Sequence, residues 1–256
     1  MSSAPFRSSL AEVCFENSSL VPLAAIRRSP NGVRVRVLTE VSTHRHALPR
    51  PALRGHIHRW FAILSVPAFI VLVCLAQSTT ARIAMAIYGV GVAAMLSVSA
   101  VYHSGKLSES AQRAFRRLDH SAILLAVTGS YTAVTTLSLH GRSEVTLLVF
   151  VWTAATVGVI IRMAWLHAPS PVIASVYLLV GWSALVEIGA LSAALNAIDT
   201  ALLWGGGAMY SFGAVIYAAK RPNPFPRFFG FHEIFHALVA GAATVHYVLV
   251  LRLATG

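Results

Sequence analysis

The sequence predicts an all-α membrane protein with seven transmembrane helices, and three observations support that fold class. First, 56% of the 256 residues are hydrophobic and only 11% are charged, whereas a soluble domain carries roughly a quarter charged residues. Second, seven apolar runs approach the length of about 20 residues that a helix needs to cross a bilayer. Third, basic residues concentrate in alternate connections between these runs. These features indicate a polytopic protein.

The seven runs follow one another through a transmembrane domain predicted to cover residues 51–256. Pro67 in the first run is tolerable, because packed neighbours in a membrane can satisfy the backbone groups that a proline leaves free. The Gly205-Gly206-Gly207 stretch in the sixth run permits close approach of a neighbouring helix. The runs are residues 60–76, 83–102, 121–139, 145–161, 171–195, 201–219 and 234–251.

Orientation follows from the basic residues of the short connections. Twelve of them lie on one side and three on the other, and an excess of Lys and Arg marks the cytoplasmic side. We therefore predict a cytoplasmic N-terminus and an outside C-terminus, in the cell membrane (plasma or inner). An even number of spans would destroy the alternation. The twelve are Arg45, Arg50, Arg54, Arg59, Lys106, Arg113, Arg116, Arg117, Arg162, Lys220, Arg221 and Arg227, and the three are Arg82, Arg142 and Arg252.

The net charge of +11 does not indicate a nucleic-acid partner. The Lys and Arg residues sit between apolar runs and form no single basic face with interleaved aromatic residues. Cys14 and Cys74 suggest neither a disulfide framework nor a thiolate metal site. The expected partner is therefore membrane lipid, and the sequence identifies no protein partner.

Residues 1–50 are predicted to form a flexible tail that is separable from the functional unit. The Val/Arg alternation at 33–37 fits a short strand, but no nearby segment is expected to pair with it. Glu12, Glu16 and Asn17 interrupt the apolar stretch that a cleaved signal would need. Four histidines near the first span are predicted to be solvated or at headgroup level because arginines surround them. They are His44, His46, His56 and His58.

Two imidazoles at the start of the last run are the strongest functional signal. His232 and His236 are four residues apart, so they lie on one face of a helix at a spacing that permits a shared metal. Imidazoles are costly in a membrane span, which makes them a functional-site hypothesis by default. His246 lies ten residues further, about 15 Å along a straight helix, too far to ligate the same ion.

Other polar residues are predicted to lie at the same depth. The second run ends at His103, with Ser99 one turn deeper on the same face, and the third begins near Asp119. His103, His232 and His236 can together supply three nitrogen ligands to Zn²⁺ and leave a fourth position for water. We predict that Asp119 and Ser99 are catalytic: Asp119 hydrogen-bonds this water or orients a metal ligand, and Ser99 binds the water or a substrate oxygen. Alternatively, Asp119 is a first-turn helix acid and Ser99 a packing serine.

Several motifs resemble those of the hemolysin III family, the bacterial branch of the progestin and adiponectin receptor superfamily. They are Ser99-x3-His103-Ser104, Leu118-Asp119-His120-Ser121-Ala122-Ile123, Gly129-Ser130-Tyr131-Thr132 and His232-x3-His236-x9-His246. The resemblance covers about residues 53–251. It implies a seven-helix fold with an intramembrane zinc near the cytoplasmic leaflet, with the three histidines as ligands, Asp119 holding water and Ser99 beside it. It also implies a link to proposed membrane hydrolases, including alkaline ceramidases.

Two departures from the family pattern stand out. Many members have an acidic residue and a His-Gly pair before the first span, whereas this chain has Arg54-Gly55-His56. Glu233, at a position that is commonly apolar or Gln, creates a literal H-E-x-x-H. The roles of Glu233, Glu187 and His246 are left open by the sequence.

Four functions follow from this site. The first is a zinc-dependent hydrolase of a lipid amide or ester. The second is a non-enzymatic receptor or lipid sensor stabilised by zinc. The third is a haemolytic pore, which the spans disfavour because Glu187 is their one conspicuous charge and a conducting path needs a row of polar residues. The fourth is an intramembrane protease with Glu233 as general base.

Overall fold

The structure, a computed structural model, describes residues 24–28, 34–38, 51, 53, 55–103, 107–165 and 167–255. The chain divides into two units, Met1–Ala47 and Leu48–Gly256. In the first unit, strand β1 (Ala24–Arg28) pairs antiparallel with β2 (Arg34–Leu38), with Ile26 opposite Arg36. The strand that the Val/Arg alternation fits is therefore present, and the expectation that no nearby segment pairs with it was wrong. The separable role of residues 1–50 stays a prediction, and His44 and His46 lie outside the described residues.

The second unit is helical, and its described residues include seven helices long and apolar enough to cross a membrane. The prediction of an all-α protein with seven spans is thus confirmed for this unit. The fifth span is interrupted by a 3₁₀ segment, Ser183–Glu187. The α-helices are α1 (His56–Leu75), α2 (Thr79–Tyr102), α3 (Glu109–Ser138), α4 (Arg142–Ala164), α5 (Ser170–Gly181), α6 (Ile188–Ala194), α7 (Ala197–Ala219) and α8 (Phe231–Thr255).

Helix α3 begins well before the apolar run that predicted it. The Ser108 hydroxyl accepts a hydrogen bond from the Ala111 N–H, which caps the helix, and Glu109 favours the positive end of its dipole. The first three turns are polar and rich in arginine, so hydropathy alone missed them. Asp119 therefore lies ten residues inside the helix, and the alternative that it is a first-turn acid was wrong.

Helices α2 and α3 pack closely enough to bring their functional residues together. A Cβ on Gly91 would lie 2.9 Å from the carbonyl oxygen of Leu125, and one on Gly129 would lie 3.0 Å from that of Ile87. Only glycine permits this backbone approach at both positions. The contact fixes how α2 and α3 align, and hence which residues near the start of α3 face the end of α2.

The fifth span is broken rather than continuous. The break leaves the Gly181 carbonyl and the Ala184 N–H outside the regular α-helix pattern, and a group without a partner would be costly in a membrane. The Tyr131 hydroxyl serves both, because it donates to the Gly181 oxygen at 2.6 Å and accepts from the Ala184 nitrogen at 2.8 Å. Glu187 ends the 3₁₀ segment and is half-buried.

Helices α7 and α8 pack through one of the three predicted glycines. A Cβ on Gly206 would lie 2.3 Å from the His246 ring, while Gly205 and Gly207 have nothing within 4 Å of that position. At the opposite end from His232, Asp199 of α7 accepts a 2.6 Å hydrogen bond from Arg252 of α8. This ion pair fixes the alignment of the last two helices.

Candidate metal centre

Three imidazoles, one from the end of α2 and two from the start of α8, lie close together at one level of the bundle. One nitrogen of each of His103, His232 and His236 lies within 4.8 Å of the other two. Their ring centroids are 4.5–5.0 Å apart, and the Nε2 atoms of His103 and His232 are 3.1 Å apart. The sequence-predicted convergence is therefore present, and these residues can hold a metal ion.

The separation of the His103 and His232 nitrogens fits a small tetrahedral ion. Zinc–nitrogen bonds of about 2.0–2.1 Å imply nitrogens roughly 3.3 Å apart around Zn²⁺, close to the separation of the His103 and His232 nitrogens. His236 is buried and the other two are half-buried, so the three can be shielded from bulk water without being sealed. Three imidazoles leave one tetrahedral position for another ligand.

The position of His103 is fixed by two local contacts. His103 is the residue that ends α2, and its backbone N–H bonds to the Ser99 carbonyl oxygen. Gly55 has a positive φ of 81° and packs so closely that a Cβ there would lie 2.9 Å from the His103 Cβ. The start of α1 thus presses against the first imidazole, and any side chain at Gly55 would displace it.

Ser99 and Asp119 lie together beside the imidazoles. Both are buried, and the Ser99 side chain is a hydrogen-bond partner of the Asp119 carboxyl. Both line one small cavity with His232 and His236. The structure therefore brings the two residues predicted to be catalytic into the same space as two of the three imidazoles that could hold a metal, although their chemical roles stay a prediction.

A fourth imidazole belongs to this site, and the sequence interpretation missed it. His58 is buried, and its Nδ1 lies 2.9 Å from the Nδ1 of His236. The prediction that His58 is solvated or at headgroup level was wrong, because α1 begins at His56 and turns His58 inward. The neighbouring His56 is exposed, which agrees with its prediction.

The His58 contact determines how His236 can bind an ion. Because His236 Nδ1 faces His58, its Nε2 is the nitrogen left to face His103 and His232. Such an orienting hydrogen bond to a ligating histidine is common in metal sites and fixes its tautomer. His58 lies outside the group of mutually close nitrogens. Its role is therefore to hydrogen-bond the ligand His236, and not to bind the ion itself.

Glu233 caps its own helix. It is buried, and its carboxylate accepts a 2.8 Å hydrogen bond from the Gly230 N–H. A glutamate at the third helical position commonly satisfies the N–H that precedes the helix. This contact gives a structural role to the acidic residue of the H-E-x-x-H sequence, whose role the sequence left open.

His246 lies away from the imidazole cluster, as the ten-residue spacing predicted. It lines a larger, mostly apolar cavity between α3, α5, α7 and α8. Its Nε2 lies 3.3 Å from the Leu203 carbonyl oxygen. Among the described residues, its buried Nδ1 has no hydrogen-bond partner. Glu187 does not line this cavity or the metal centre.

Seven membrane-length helices that enclose a three-histidine centre define the chain as a multi-pass membrane protein with a candidate metal site. The sequence profile described as "Haemolysin-III related" matches residues 46–247. The chain therefore belongs to the Haemolysin-III related family, as its motifs predicted. This family is related to the progestin and adiponectin receptors.

Characterised relatives align along most of their length. The chain is 32% identical over 193 residues to "Hemolysin-3" of Bacillus cereus, covering 74% of this chain and 85% of that protein. It is 29% identical over 192 residues to "Hemolysin-3 homolog" of Bacillus subtilis (strain 168), covering 74% and 87%. It is also 29% identical over 198 residues to the human "Monocyte to macrophage differentiation factor", covering 75% and 80%.

Proposed function

We propose that this protein is a zinc-dependent hydrolase that cleaves an amide or ester bond of a membrane lipid. His103, His232 and His236 would hold the Zn²⁺. When bound, Zn²⁺ acts as a Lewis acid towards a carbonyl and lowers the pKa of water to about 7. The three-imidazole donor set supports this choice of metal, since nitrogen ligands and an incomplete tetrahedron are typical of catalytic zinc.

Asp119 is proposed to move the proton in this reaction. Its carboxylate would accept a proton from the attacking water and deliver it to the leaving amine or alkoxide. The Ser99 contact holds the carboxyl in one orientation, which reduces the reorganisation needed at the moment of transfer. The cavity that contains both residues is small, about 380 Å³ of space outside protein atoms, so little bulk water competes.

The observation that carries the proposal is that this cavity adjoins a large apolar one. The apolar cavity contains about 920 Å³ of space outside protein atoms. Four residues line both cavities: Ile123, Tyr177, Phe235 and Val239. We propose that the hydrocarbon chain of the substrate occupies the apolar cavity and that its polar bond lies in the adjoining cavity at Asp119.

The test separates loss of proton transfer from loss of metal. Purified, zinc-loaded protein is incubated with a panel of ceramide-like and ester lipids, and released fatty acid is quantified. We expect Asp119→Asn to lower release by at least about 10²-fold, the lower end of general acid–base effects, while zinc content stays at the wild-type value. Retained release in this variant would reject Asp119 as the proton carrier.

A non-enzymatic lipid sensor is the second candidate, because the imidazoles tie the end of α2 to the start of α8. A ligand that binds only the folded state at 100 times its Kd stabilises that state by about 2.7 kcal/mol. In a sensor, His103→Ala would lower the melting temperature and no lipid of the panel would be cleaved. The same panel therefore distinguishes the two functions.

Two other proposals concern placement. The excess of basic residues on one side supports a cytoplasmic N-terminus in the cell membrane. The metal centre, which lies where α2 ends and α8 begins, would then be near the cytoplasmic leaflet.

A protease is less favoured as the function, since the Glu233 carboxylate accepts a hydrogen bond from the Gly230 N–H instead of being reserved for a water molecule.

A further inference from the structure

A third cavity adjoins the metal centre at the end of the bundle where α2 ends. It is open on one side and contains about 740 Å³ of space outside protein atoms. His103, His232 and Asp119 form part of its wall. Unlike the apolar cavity, it is also lined by two cationic side chains, Arg116 and Lys220. A molecule in this space would contact the proposed reaction centre and both cations.

The two cations are not neutralised by nearby carboxylates. Arg116 lies three residues before Asp119 on α3, and therefore about one turn away on a similar face. Lys220 ends α7 and is exposed. In the described part of the chain neither forms an ion pair with an acidic residue, and Asp119 is the one acidic residue among those lining this cavity. Such a wall favours an anion.

The three cavities are arranged in series around the metal centre. Asp119, His120, Tyr217 and His232 line both the cationic cavity and the small central one. The central cavity in turn shares four other lining residues with the apolar cavity. A single elongated ligand can therefore place a charged head, a polar bond and a hydrocarbon tail in three successive environments.

We propose that the ligand of this site is a lipid with an anionic, phosphate-bearing headgroup held by Arg116 and Lys220. Its acyl chain occupies the apolar cavity, and its amide or ester bond lies between the two, beside Asp119. Arg and Lys both bind phosphate oxygens through charge-assisted hydrogen bonds. This inference rests on the proposed function for the claim that the amide or ester bond is the one cleaved. Binding of the headgroup can be tested without turnover.

The binding experiment uses lipids that cannot be hydrolysed. Zinc-loaded protein in dodecyl maltoside, a detergent without phosphate or ester groups, is titrated with the dihexyl ether of glycerol phosphate, with the neutral dihexyl ether of glycerol, and with inorganic phosphate. The variants are Arg116→Gln, Lys220→Gln and their double variant. The matched control is Arg113→Gln, since Arg113 is an exposed cation on the same helix that does not line the cavity.

We expect wild type and Arg113→Gln to bind the phosphate lipid at least about tenfold more tightly than its neutral counterpart, with a loss of about tenfold for each cation removed. Equal affinity for the two lipids, or an equal loss in Arg113→Gln, would overturn the proposal. Inorganic phosphate binding as tightly as the phosphate lipid would assign the cations to a free ion and also overturn it. The single variants give the result if the double variant does not fold.

Discussion

At the scale of single residues, His58 is the clearest addition to the site. Its ring lies 3.9 Å from that of His236, centroid to centroid, and the two Nδ1 atoms are within hydrogen-bonding distance. Two imidazole nitrogens can bond only when one carries the proton and the other accepts it. The contact therefore restrains both the tautomer and the rotation of His236, which has to present Nε2 to the ion.

We predict that His58→Leu lowers zinc affinity by about 10- to 100-fold, the usual effect of removing a hydrogen bond behind a metal ligand. His58→Asn should retain most of the affinity, because its amide reaches the position of the ring Nδ1. Affinity is measured by competition with a chromophoric chelator. Unchanged affinity in His58→Leu, or a Co²⁺ spectrum that shows one ligand fewer, would contradict a role behind the ligand.

The sequence located some of these residues and missed others for identifiable reasons. His103, His232 and His236 were recognisable because imidazoles inside apolar runs are rare and their depth follows from span order. His58 was hidden because arginines flank it and the hydropathy signal begins only at Trp60. The cation Arg116 was counted in the charge bias, but its place in a cavity wall depends on how α3 and α7 pack.

At the scale of helices, the interrupted fifth span is the feature that most depends on one side chain. The Tyr131 hydroxyl joins the Gly181 carbonyl and the Ala184 N–H across the break. We predict that Tyr131→Phe lowers the free energy of unfolding by about 1–3 kcal/mol, the cost of leaving polar groups without a hydrogen-bond partner inside a membrane span. Thermal unfolding in detergent measures this change.

Tyr102→Phe is the matched control, since the Tyr102 hydroxyl makes no hydrogen bond among the described residues. An equal loss of stability in both variants would contradict the bridging role.

Hydropathy indicated the length of this span but not its break, because 3₁₀ and α-helical turns bury similar side chains. It also hid the polar first turns of α3, where Ser108 and Glu109 were the available helix-start signals.

At the scale of the whole molecule, the site combines residues from the first two helices and the last helix of the transmembrane unit. Helices α1 and α2 supply His58, Ser99 and His103, and α8 supplies the remaining imidazoles. Composition and charge bias predicted the seven spans, because the bilayer fixes length and polarity. The β1–β2 pairing was missed although Asn31-Gly32, a dipeptide that favours hairpin turns, lies between the strands in sequence.

The central claim is that three imidazoles far apart in the chain hold one zinc ion. Zinc per chain, measured by mass spectrometry on purified protein, tests it most directly in wild type, His236→Ala and the control His56→Ala, an exposed histidine of α1. We predict about one zinc per chain in wild type and in His56→Ala, and almost none in His236→Ala. Equal zinc in all three proteins, or none in wild type after incubation with the metal, would contradict the account.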